Sequence, residues 1–321
     1  MKKVSVICMS GLDNFIDNII DGLSDGYMVR KFIVSNEQDI FNAIDYGDVI
    51  WLEWANQSAV IATNYEGIKG KKVIVRLHSY EIFSNMPSQI NWSVVDKLIF
   101  VAPHIRDILN ELSPGIVEKV KSEVIYNGVD IEKIPFKERE PGYNVAWVGF
   151  INYKKNPQMA LQIMKKLSVG SFYNGYFTAD PEYKLHIAGS YQDLRYKIYL
   201  EHMIKEMGLQ DNVKFYGWID DMEEFWEDKN YLLHTSIHES FGYGIFEAMV
   251  RGIKPVIHNF RGAKDLYPKC SVFNTIDEAA DEIMNGEYYS KMYRSWVIDK
   301  GWTLENQLEN IKKVIEGIKQ K

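Results

Sequence analysis

The chain contains very little cysteine: its 321 residues include only two, Cys8 and Cys270, far apart in the sequence. Two distant cysteines do not make a disulfide framework, which excludes the small secreted proteins that are held together by disulfides. Cys8 falls in an apolar run and is predicted to be a small buried side chain. This cysteine usage is typical of a reducing compartment, so we expect a cytoplasmic protein.

Excess basic charge and long apolar runs are lacking as well. The formal net charge is -7, and the isoelectric point is about 5.6. An acidic chain without a strong Lys/Arg cluster is not expected to bind nucleic acid, and at most weak peripheral contact with a membrane is predicted. The first apolar run, residues 3–9, is too short for a signal peptide or a membrane-spanning helix, and it is predicted to be a strand.

The signatures of two common kinds of cofactor chemistry are absent. The first predicted strand-to-helix turn has a single glycine, Gly11, in place of the G-x-G-x-x-G loop that binds dinucleotides. This argues against a nicotinamide-dependent oxidoreductase. The histidines are scattered and no Asp-x-Asp motif ends an apolar strand, so we predict no metal site and no resident cofactor.

Apolar strand-like runs alternate with helical segments along the whole chain. This alternation predicts an α/β fold with parallel, doubly wound sheets. A charged stretch with two prolines, 131–142, separates two such sets, so we predict domains over 1–137 and 141–300. A final amphipathic helix is predicted over 303–321. The predicted strands are 3–9, 28–34, 48–54, 72–77, 97–102, 123–126, 143–149, 183–188, 213–216, 231–234, 255–258 and 271–273.

The stretch from 234 to 267 combines the features of an anion-binding site. A buried strand is predicted to end at residue 234, and a glycine-bearing loop over 239–244 follows it. A short helix is predicted to begin at Ile245 and to be closed by Gly252. The free N–H groups and the dipole of a helix N-terminus attract anions. Many α/β proteins contain such a unit without a ligand, so the spacing alone leaves the function open.

Two carboxylates, Glu239 and Glu247, flank this loop with seven residues between them. Glutamates beside a helix are usually solvated, which is the simplest interpretation. A glycosidase pair fits poorly, because eight residues of helix span about 12 Å and a retaining pair needs about 5 Å. The pattern Glu-x7-Glu, followed by Glu-Ala-Met, a glycine and Pro-Val, resembles the C-terminal half of GT-B glycosyltransferases, specifically the retaining enzymes of family 4.

The resemblance implies the GT-B architecture, in which two Rossmann-like domains face each other across a cleft that holds a nucleotide-sugar. It implies that Glu239 lies beside the donor sugar and that Glu247 accepts hydrogen bonds from the ribose hydroxyls. Residues 217–219 are expected to pack around the nucleotide base. The Asn-Gly-Val-Asp sequence at 127–130 is similar to the family's segment before the interdomain linker, and the final helix is expected to pack back on the N-terminal domain.

The donor diphosphate is expected at the loop that follows Gly149. Family members have an arginine after this glycine and a lysine a few residues on; Lys155 matches the lysine, whereas Phe150 stands at the arginine position. An aromatic ring cannot replace a guanidinium that binds phosphate in a bidentate manner. The positive charge must then come from Lys154 or from the helix N-terminus after Glu239. Otherwise Lys155 is an ordinary surface lysine at a helix start. The further donor-binding residues implied are Gly11, Gly189, Ser240, Phe241, Gly242, Tyr243, Gly244 and Glu247. Gly11 is equally well explained as an ordinary tight turn.

Three residues of the N-terminal domain are also candidates. His78 ends the fourth strand and resembles the family's histidine that contacts the transferring sugar, so it is predicted to be catalytic together with Glu239 and Lys155. A histidine at a strand end is otherwise an ordinary half-buried polar residue, and the two interpretations stay open. Glu81 and His104 are candidates for contacts with the acceptor.

These observations predict a retaining glycosyltransferase that moves a sugar from a nucleoside-diphosphate sugar to an acceptor hydroxyl on a sugar, a lipid-linked glycan or a small molecule. Lysines and a helix dipole, rather than a metal ion, are expected to stabilise the leaving diphosphate. Two alternatives remain. One is a catalytically impaired module that binds nucleotide-sugars, which the missing arginine suggests. The other is a different GT-B enzyme, such as a sugar-nucleotide epimerase.

Overall fold

The structure is a computed structural model that describes residues 1–13, 16–169 and 183–318, together with the backbone of 172–173 and 176–177. It divides into two compact units. Unit 1 comprises residues 1–130 and 301–321, and unit 2 comprises residues 131–300. The last three residues of the predicted final helix, 319–321, lie outside the described residues.

Unit 1 alternates strands with helices, as the apolar runs predict. Its central strands are buried along almost their whole length, because helices cover both faces of a parallel sheet. The elements of residues 1–130 are β1 Lys3–Met9, α1 Asp17–Leu23, β2 Met28–Val34, α2 Glu37–Tyr46, β3 Val49–Glu53, α3 Gln57–Asn64, β4 Lys72–Leu77, α4 Met86–Gln89, β5 Lys97–Phe100, α5 Pro103–Leu112, α6 Ile116–Lys119 and β6 Ser122–Val124.

The sheet of unit 1 has the order β2-β1-β3-β4-β5-β6, and all neighbouring strands are parallel. The chain changes direction across the sheet between β1 and β3, so the topological switch point lies at their carboxyl ends. Side chains alternate between two cores: Ile50 and Leu52 of β3 pack on one face, and Val49 and Trp51 pack on the other.

Unit 2 repeats the α/β alternation. Its elements are β7 Asn144–Val148, α7 Pro157–Ser168, β8 Phe172–Tyr173, β9 Tyr176–Phe177, β10 Lys184–Ala188, α8 Leu194–Glu206, β11 Val213–Gly217, α9 Glu223–Trp226, β12 Tyr231–His234, α10 Tyr243–Val250, β13 Lys254–His258, α11 Ala263–Leu266, β14 Val272–Phe273, α12 Ile276–Met284 and α13 Ser290–Asp299. After it the chain adds α14, Leu304–Gly317, to unit 1.

The main sheet of unit 2 has the order β11-β10-β7-β12-β13-β14 and is also parallel, while β8 and β9 form a separate antiparallel pair. Its switch point lies between β7 and β12, which are neighbours in the sheet although they are far apart in sequence. Ligands of open α/β sheets bind beside the carboxyl ends of the strands at such a point. The loops after β7 and β12 are therefore where a site is expected.

The first unit ends at residue 130 rather than at the predicted 137, because hydrogen bonds tie the connecting segment to unit 2. Arg294 donates to the carbonyls of Ile131 and Ile134 at 3.1 and 3.2 Å. Arg139 donates to the carbonyls of Glu227 and Lys229, both at 2.9 Å. The connecting segment is thus held in two ways: its carbonyls accept hydrogen bonds from Arg294, and its Arg139 donates to carbonyls of residues 227 and 229.

The final helix α14 belongs to unit 1. Its Ile311, Val314 and Ile315 follow the three- and four-residue spacing of an amphipathic helix and are buried in the same core as Trp51. The side chain of Gln307 accepts the N–H of Gly128 at 2.8 Å. This contact joins the start of the helix to the Asn-Gly-Val-Asp segment.

Most predicted elements occur within one or two residues of their expected bounds. The helix after the glycine loop begins at Tyr243 rather than Ile245, and the helices α3, α4 and α6 were not among the predicted elements. Cys8 is buried, and its burial raises the pKa of the thiol to about 12. None of the helices in the described part of the chain has the length and apolar character that crossing a membrane requires.

Candidate active site

The loop after β7 is fixed in place by the loop after β12. The hydroxyl of Thr235 donates to the carbonyl of Lys155 at 2.7 Å, and the N–H of Ile237 donates to the carbonyl of Lys154 at 2.9 Å. Trp147 Nε1 in turn donates to the Thr235 hydroxyl at 2.9 Å. These bonds hold both lysines at the switch point of unit 2.

Local turns also position Lys155. The side chain of Asn152 accepts the Lys155 N–H at 3.1 Å and caps a single 3₁₀ turn. Asn156 then takes a left-handed conformation with φ 51°, and α7 begins at Pro157, a residue suited to the first turn of a helix. The lysine is thus the last residue of a capped turn and precedes the helix start by two residues.

A buried carboxylate, Glu239, receives the two lysines. The Lys155 ammonium donates to Glu239 Oε1, and Lys154 Nζ lies 3.8 Å from Oε2. His234 Nε2 is 3.3 Å from Oε1. The structure therefore brings together Glu239, Lys154 and Lys155, which the sequence predicts as site residues, and adds His234. We call these four side chains the Glu239 cluster.

The protonation states of the Glu239 cluster follow from burial and from the paired charges. Burial alone would raise the pKa of Glu239, but Lys155 and His234, followed by Lys154, hold it well below its usual range. Burial lowers the pKa of Lys154, and Glu239 opposes that shift. Burial also lowers the pKa of His234. At neutral pH a neutral His234 leaves two ammonium groups against one carboxylate, so the cluster can attract a further anion.

Two glycines let the backbone approach the Glu239 cluster closely. Gly149 has φ +146°, and a Cβ at this position would lie 3.3 Å from Cε of Lys155. Gly189, predicted to bind the donor, has φ +151°, and its Cβ would lie only 1.9 Å from the carbonyl oxygen of Gly149. A side chain at either position would displace the loops, because both backbones adopt conformations that only glycine takes readily.

The predicted donor loop, Ser240 to Gly244, is part loop and part helix. Gly242 is the N-cap of α10 with φ 80°, and Tyr243 and Gly244 form its first turn. Phe241 is buried and stacks on Phe246 with ring centroids 4.3 Å apart. The Tyr267 hydroxyl donates to the Phe241 carbonyl. The positive end of the α10 dipole is thus rigidly held four residues after Glu239.

Glu247 lies in the second turn of α10 and is half-buried. Burial raises the pKa of this carboxyl, and Arg251, one turn further along the helix, partly offsets the shift. Arg251 is itself paired with Glu223. Glu247 is therefore not a freely solvated surface glutamate, which was the simplest alternative.

Phe150, which stands at the arginine position of the resemblance, stacks against Trp218. The ring centroids are 5.4 Å apart at an interplanar angle of 27°, and the side chains are 43% and 61% exposed. The indole N–H of Trp218 donates to Asp220 at 2.8 Å, which fixes the orientation of its ring. Two exposed rings at the ends of β7 and β11 offer a flat apolar surface beside the lysine loop.

Unit 1 holds a second buried carboxylate cluster at the carboxyl ends of β3 and β4. Glu53 Oε1 accepts Arg76 Nη1 at 3.0 Å and lies 2.7 Å from His78 Nε2, while Trp51 Nε1 donates to Oε2 at 2.7 Å. We call these four side chains the Glu53 cluster. Burial would raise the pKa of Glu53, but Arg76 and His78 lower it to about 2. The predicted catalytic residue His78 is thus hydrogen-bonded to an ionised carboxylate.

An aromatic residue covers His78. The rings of Trp54 and His78 stack with centroids 3.8 Å apart, and Trp54 takes an uncommon backbone conformation with φ 79°. Its indole N–H donates to the carbonyl of Leu12 at 2.6 Å, next to the predicted Gly11 turn, which is left-handed and exposed. Trp54 therefore joins the first loop of unit 1 to the histidine.

Glu81 and His104, the two candidates for contacts with the acceptor, are both buried. Glu81 is fully buried, and its oxygens accept the N–H groups of Ala55, His78 and Ser79 at 2.9–3.1 Å. Burial raises the pKa of this carboxyl despite those bonds. The geometry makes Glu81 a residue that positions the loops after β3 and β4. His104 is buried in the first turn of α5.

The sequence did not single out Glu53, Arg76, Trp54 or His234. The signal for Glu53 is a glutamate inside the apolar run DVIWLEW, since an ionisable residue in a buried strand needs a partner. Among the residues that the structure describes, no group of three or more His, Cys, Asp or Glu side chains is arranged to hold a metal ion.

Residues 130–269 match the family model described as glycosyl transferases group 1. GDP-mannose:cellobiosyl-diphosphopolyprenol alpha-mannosyltransferase of Xanthomonas campestris is 25% identical over 229 residues, which cover 68% of this chain and 57% of that protein. The chain thus matches less than two thirds of that relative's length.

Two solved structures are similar to the whole chain. HepE of Anabaena, in complex with UDP and glucose, has a TM-score of 0.77 at 15% sequence identity. The match covers 99% of this chain and 100% of the HepE chain. The apo form of the lipopolysaccharide outer core galactosyltransferase WaaB has a TM-score of 0.73 at 16% identity, with 98% and 99% covered. The chain therefore has the GT-B fold of two Rossmann-like units, and its residues 130–269 match the family of group 1 glycosyl transferases.

Proposed function

We propose that this protein is a retaining glycosyltransferase that moves a sugar from a nucleoside-diphosphate sugar to an acceptor hydroxyl. The observation that carries the proposal is the Glu239 cluster at the switch point of unit 2. Two lysine ammonium groups face Glu239 there, and α10 begins four residues after Glu239, within the stretch that matches the family model of glycosyl transferases. Such a site suits a diphosphate, whose charge they would balance without a metal ion.

The reaction would proceed on one face of the sugar. The bond between the anomeric carbon and the diphosphate oxygen breaks, and the acceptor oxygen bonds to the same face of that carbon. The acceptor proton passes to a β-phosphate oxygen. Lys155 and the first turn of α10 would stabilise the charge that grows on the diphosphate, which accelerates the step because this interaction is strongest in the transition state.

The remaining residues fit roles around this step. Glu247 would accept hydrogen bonds from the ribose hydroxyls. The rings of Phe150 and Trp218 would pack against the nucleotide base. His78, held by Glu53 and covered by Trp54, would contact the transferring sugar. A curated relative is named for GDP-mannose, whereas a structural neighbour was solved with UDP and glucose, so both purine and pyrimidine donors belong in the test.

A donor screen tests the proposal most directly. The melting temperature of the full chain would be measured with UDP-, GDP- and ADP-sugars, followed by release of nucleoside diphosphate with and without an acceptor panel. We expect one donor class to raise the melting temperature and to be turned over, with activity persisting in excess EDTA. Loss of turnover on chelation, restored by Mg²⁺ or Mn²⁺, would contradict the metal-independent mechanism.

A second candidate is a binding module that holds a nucleotide-sugar without transferring it. The specific observation in its favour is Phe150, which provides a ring where the resemblance expects an arginine. Stabilisation by one nucleotide-sugar, with neither hydrolysis nor transfer over the acceptor panel, would favour the module over the enzyme.

A further inference from the structure

Unit 1 contains a cavity of about 940 Å³ that none of the roles above uses. One wall comes from residues 84–93, which precede, include and follow α4, and the other comes from residues 112–119, from the end of α5 to α6. Both walls include residues at the amino-terminal side of the sheet, since α5 ends there and β5 begins there. The lining residues are Ser84, Asn85, Ser88, Ile90, Asn91, Trp92, Ser93, Leu112, Ser113, Pro114, Ile116 and Lys119.

The lining combines neutral polar groups with apolar surface. Serine and asparagine supply hydroxyls and amides, while Trp92, Leu112 and two isoleucines supply the apolar part. Among the described residues, Lys119 is the one charged side chain of the lining, and no carboxylate belongs to it. A cavity without carboxylates is a poor site for a cation, and a single exposed lysine is weak support for a polyanion.

Several of these polar groups are not engaged by the protein. Asn91 Oδ1 accepts the N–H and the hydroxyl of Ser93 at 3.3 and 2.6 Å, but within the described residues its Nδ2 has no protein partner. Within the described residues, the side-chain amide of Asn85 and the hydroxyl of Ser113 also have no protein partner. Together these atoms can donate and accept several hydrogen bonds to one ligand.

The wall that carries these groups is held rigidly. The N–H of Asn91 donates to the buried hydroxyl of Thr63 at 3.1 Å, and Asn64 Nδ2 donates to the carbonyl of Gln89 at 3.2 Å. Trp92 Nε1 donates to the carbonyl of Pro87 at 2.8 Å. The cavity is therefore formed before any ligand enters, as small-molecule sites usually are.

We propose that this cavity binds a neutral oligosaccharide, and that it holds the part of the acceptor distant from the reacting hydroxyl. A sugar ring presents hydroxyls at its edge and C–H groups on its faces, which match the free amides and the apolar lining. The volume lies at the upper end of the range of about 300–1,000 Å³ for ligand pockets, so it suits more than one ring. The assignment to an acceptor rests on the proposed glycosyltransferase function.

The segment after β4 links the cavity to the edge that bears His78. Ser84 follows His78 by six residues, so the two are at most about 20 Å apart. Tyr80 and Phe83, which lie between them in sequence, are 41% and 59% exposed. Exposed rings on this short path suit stacking against further sugar units. Binding energy gained in the cavity would then help to place the reacting hydroxyl.

The test measures oligosaccharide binding without a donor. Saturation-transfer NMR and calorimetry would be run on the full chain with cellotetraose, maltotetraose and mannotetraose, and with an acidic oligosaccharide. We expect at least one neutral tetrasaccharide to bind, and Asn91→Asp to weaken it at least tenfold. Asn91→Asp keeps the oxygen that Ser93 needs, so the loop should stay folded, while it removes the free Nδ2 donor. Asn85→Ala is expected to weaken binding as well.

Asn42→Asp, an exposed substitution on α2, is the matched control and should leave the affinity unchanged. Three results would overturn the proposal: no neutral oligosaccharide binds, neither cavity variant weakens the binding, or the acidic sugar is preferred.

Nucleotide binding, measured separately by thermal shift, should not change in Asn91→Asp. If donor turnover is present and tetrasaccharide binding is absent, the cavity assignment fails alone. If tetrasaccharides bind and no donor does, the proposed enzyme fails instead.

Discussion

Each unit has a buried glutamate that is paired with basic side chains at the carboxyl edge of its sheet, but the two are neutralised in different ways. Glu53 faces Arg76, which is almost fully buried and whose second nitrogen donates to Asn127. Glu239 faces Lys155 and Lys154, whose side chains are 18% and 36% exposed. One carboxylate is enclosed by fixed donors, whereas the other is covered by partly exposed ammonium groups.

This difference separates a structural cluster from one that can change partners. A guanidinium holds a carboxylate through a rigid planar fork, while a lysine ammonium sits on a flexible stem and can turn towards another anion. The Glu53 cluster is therefore suited to fixing the backbone and His78. The Glu239 cluster is suited to sharing its lysines with a bound diphosphate. Substitutions in the first should mainly affect folding, and substitutions in the second should mainly affect catalysis.

The largest effect is expected for Glu53→Gln on stability. The change leaves the Arg76 guanidinium buried without its counter-charge, and breaking a buried pair in this way costs about 3–5 kcal/mol. Urea unfolding at pH 7, followed by tryptophan fluorescence, should show this loss in the transition of unit 1. Glu66→Gln breaks an exposed pair with Lys69 and should leave the midpoint unchanged.

Acid unfolding gives a second measure of the same variant. The pKa of Glu53 is about 2 in the folded chain, below its ordinary value of 4.5. Its contribution to stability is therefore complete above pH 4.5 and is lost as the pH falls from 4.5 towards 2. Glu53→Gln should lack this part of the pH dependence. Equal acid sensitivity of the two proteins would show that Arg76 does not hold Glu53 ionised.

The next largest effect is expected for Lys155→Ala on turnover. The diphosphate gains charge as the glycosidic bond breaks, so a neighbouring cation interacts more strongly with the transition state than with the bound donor. We expect kcat to fall because the activation free energy rises by about 2–4 kcal/mol, by analogy with loss of one oxyanion donor. The affinity for the donor should fall less.

Lys165→Ala removes the same charge from the exposed end of α7 and serves as the control for Lys155→Ala. Because Lys155 also pairs with Glu239, the melting temperature of each variant should accompany the kinetics, and Lys155→Met tests the charge while keeping most of the side chain. Near-normal kcat in a folded Lys155→Ala protein would show that the phosphate site lies elsewhere.

The two clusters also differ in how far the sequence could predict them. Strands β1, β2, β4 and β12 have the predicted bounds, because each is an apolar run ended by turn residues. Lys155 and Glu239 were predicted from the family resemblance, each at its place in a local motif beside a predicted turn. Their pairing was not predicted, since it depends on β7 and β12 being neighbours.

The Glu53 cluster could not be derived from local pattern. Glu53 and Arg76 are partners in the register of β3 and β4, and register is set by packing across the whole sheet. Asn127 reaches Arg76 from a third segment. The stack of Trp54 on His78 likewise requires a left-handed tryptophan, which no sequence rule would place there. The unpredicted part of the site is thus the part made by contacts between distant strands.

A smaller effect is expected for Glu247→Ala on nucleotide affinity. Loss of the carboxylate leaves the ribose hydroxyls without acceptors, which costs about 1–3 kcal/mol. Calorimetry with the nucleoside diphosphate should show weaker binding, whereas Glu201→Ala on the exposed face of α8 should bind normally. The wild-type affinity should also fall in mildly acidic buffer, because burial raises the pKa of Glu247 and protonation weakens an acceptor. Equal affinity of Glu247→Ala and wild type would rule out the ribose role.

The smallest effect is expected for Phe150→Arg, which restores the residue type that the family resemblance places beside the phosphates. A third cation next to the Glu239 cluster should raise kcat, since a guanidinium binds phosphate oxygens in a bidentate manner. The gain should be limited to about 1 kcal/mol, because the change also removes the stack on Trp218, and aromatic pairs contribute about 0.5–1.5 kcal/mol beyond their buried area. Phe150→Leu removes the ring without adding charge, so it should weaken nucleotide binding and leave kcat unchanged. If Phe150→Arg and Phe150→Leu have the same kcat, the added charge does not reach the phosphates, and the ring at position 150 contributes only through stacking.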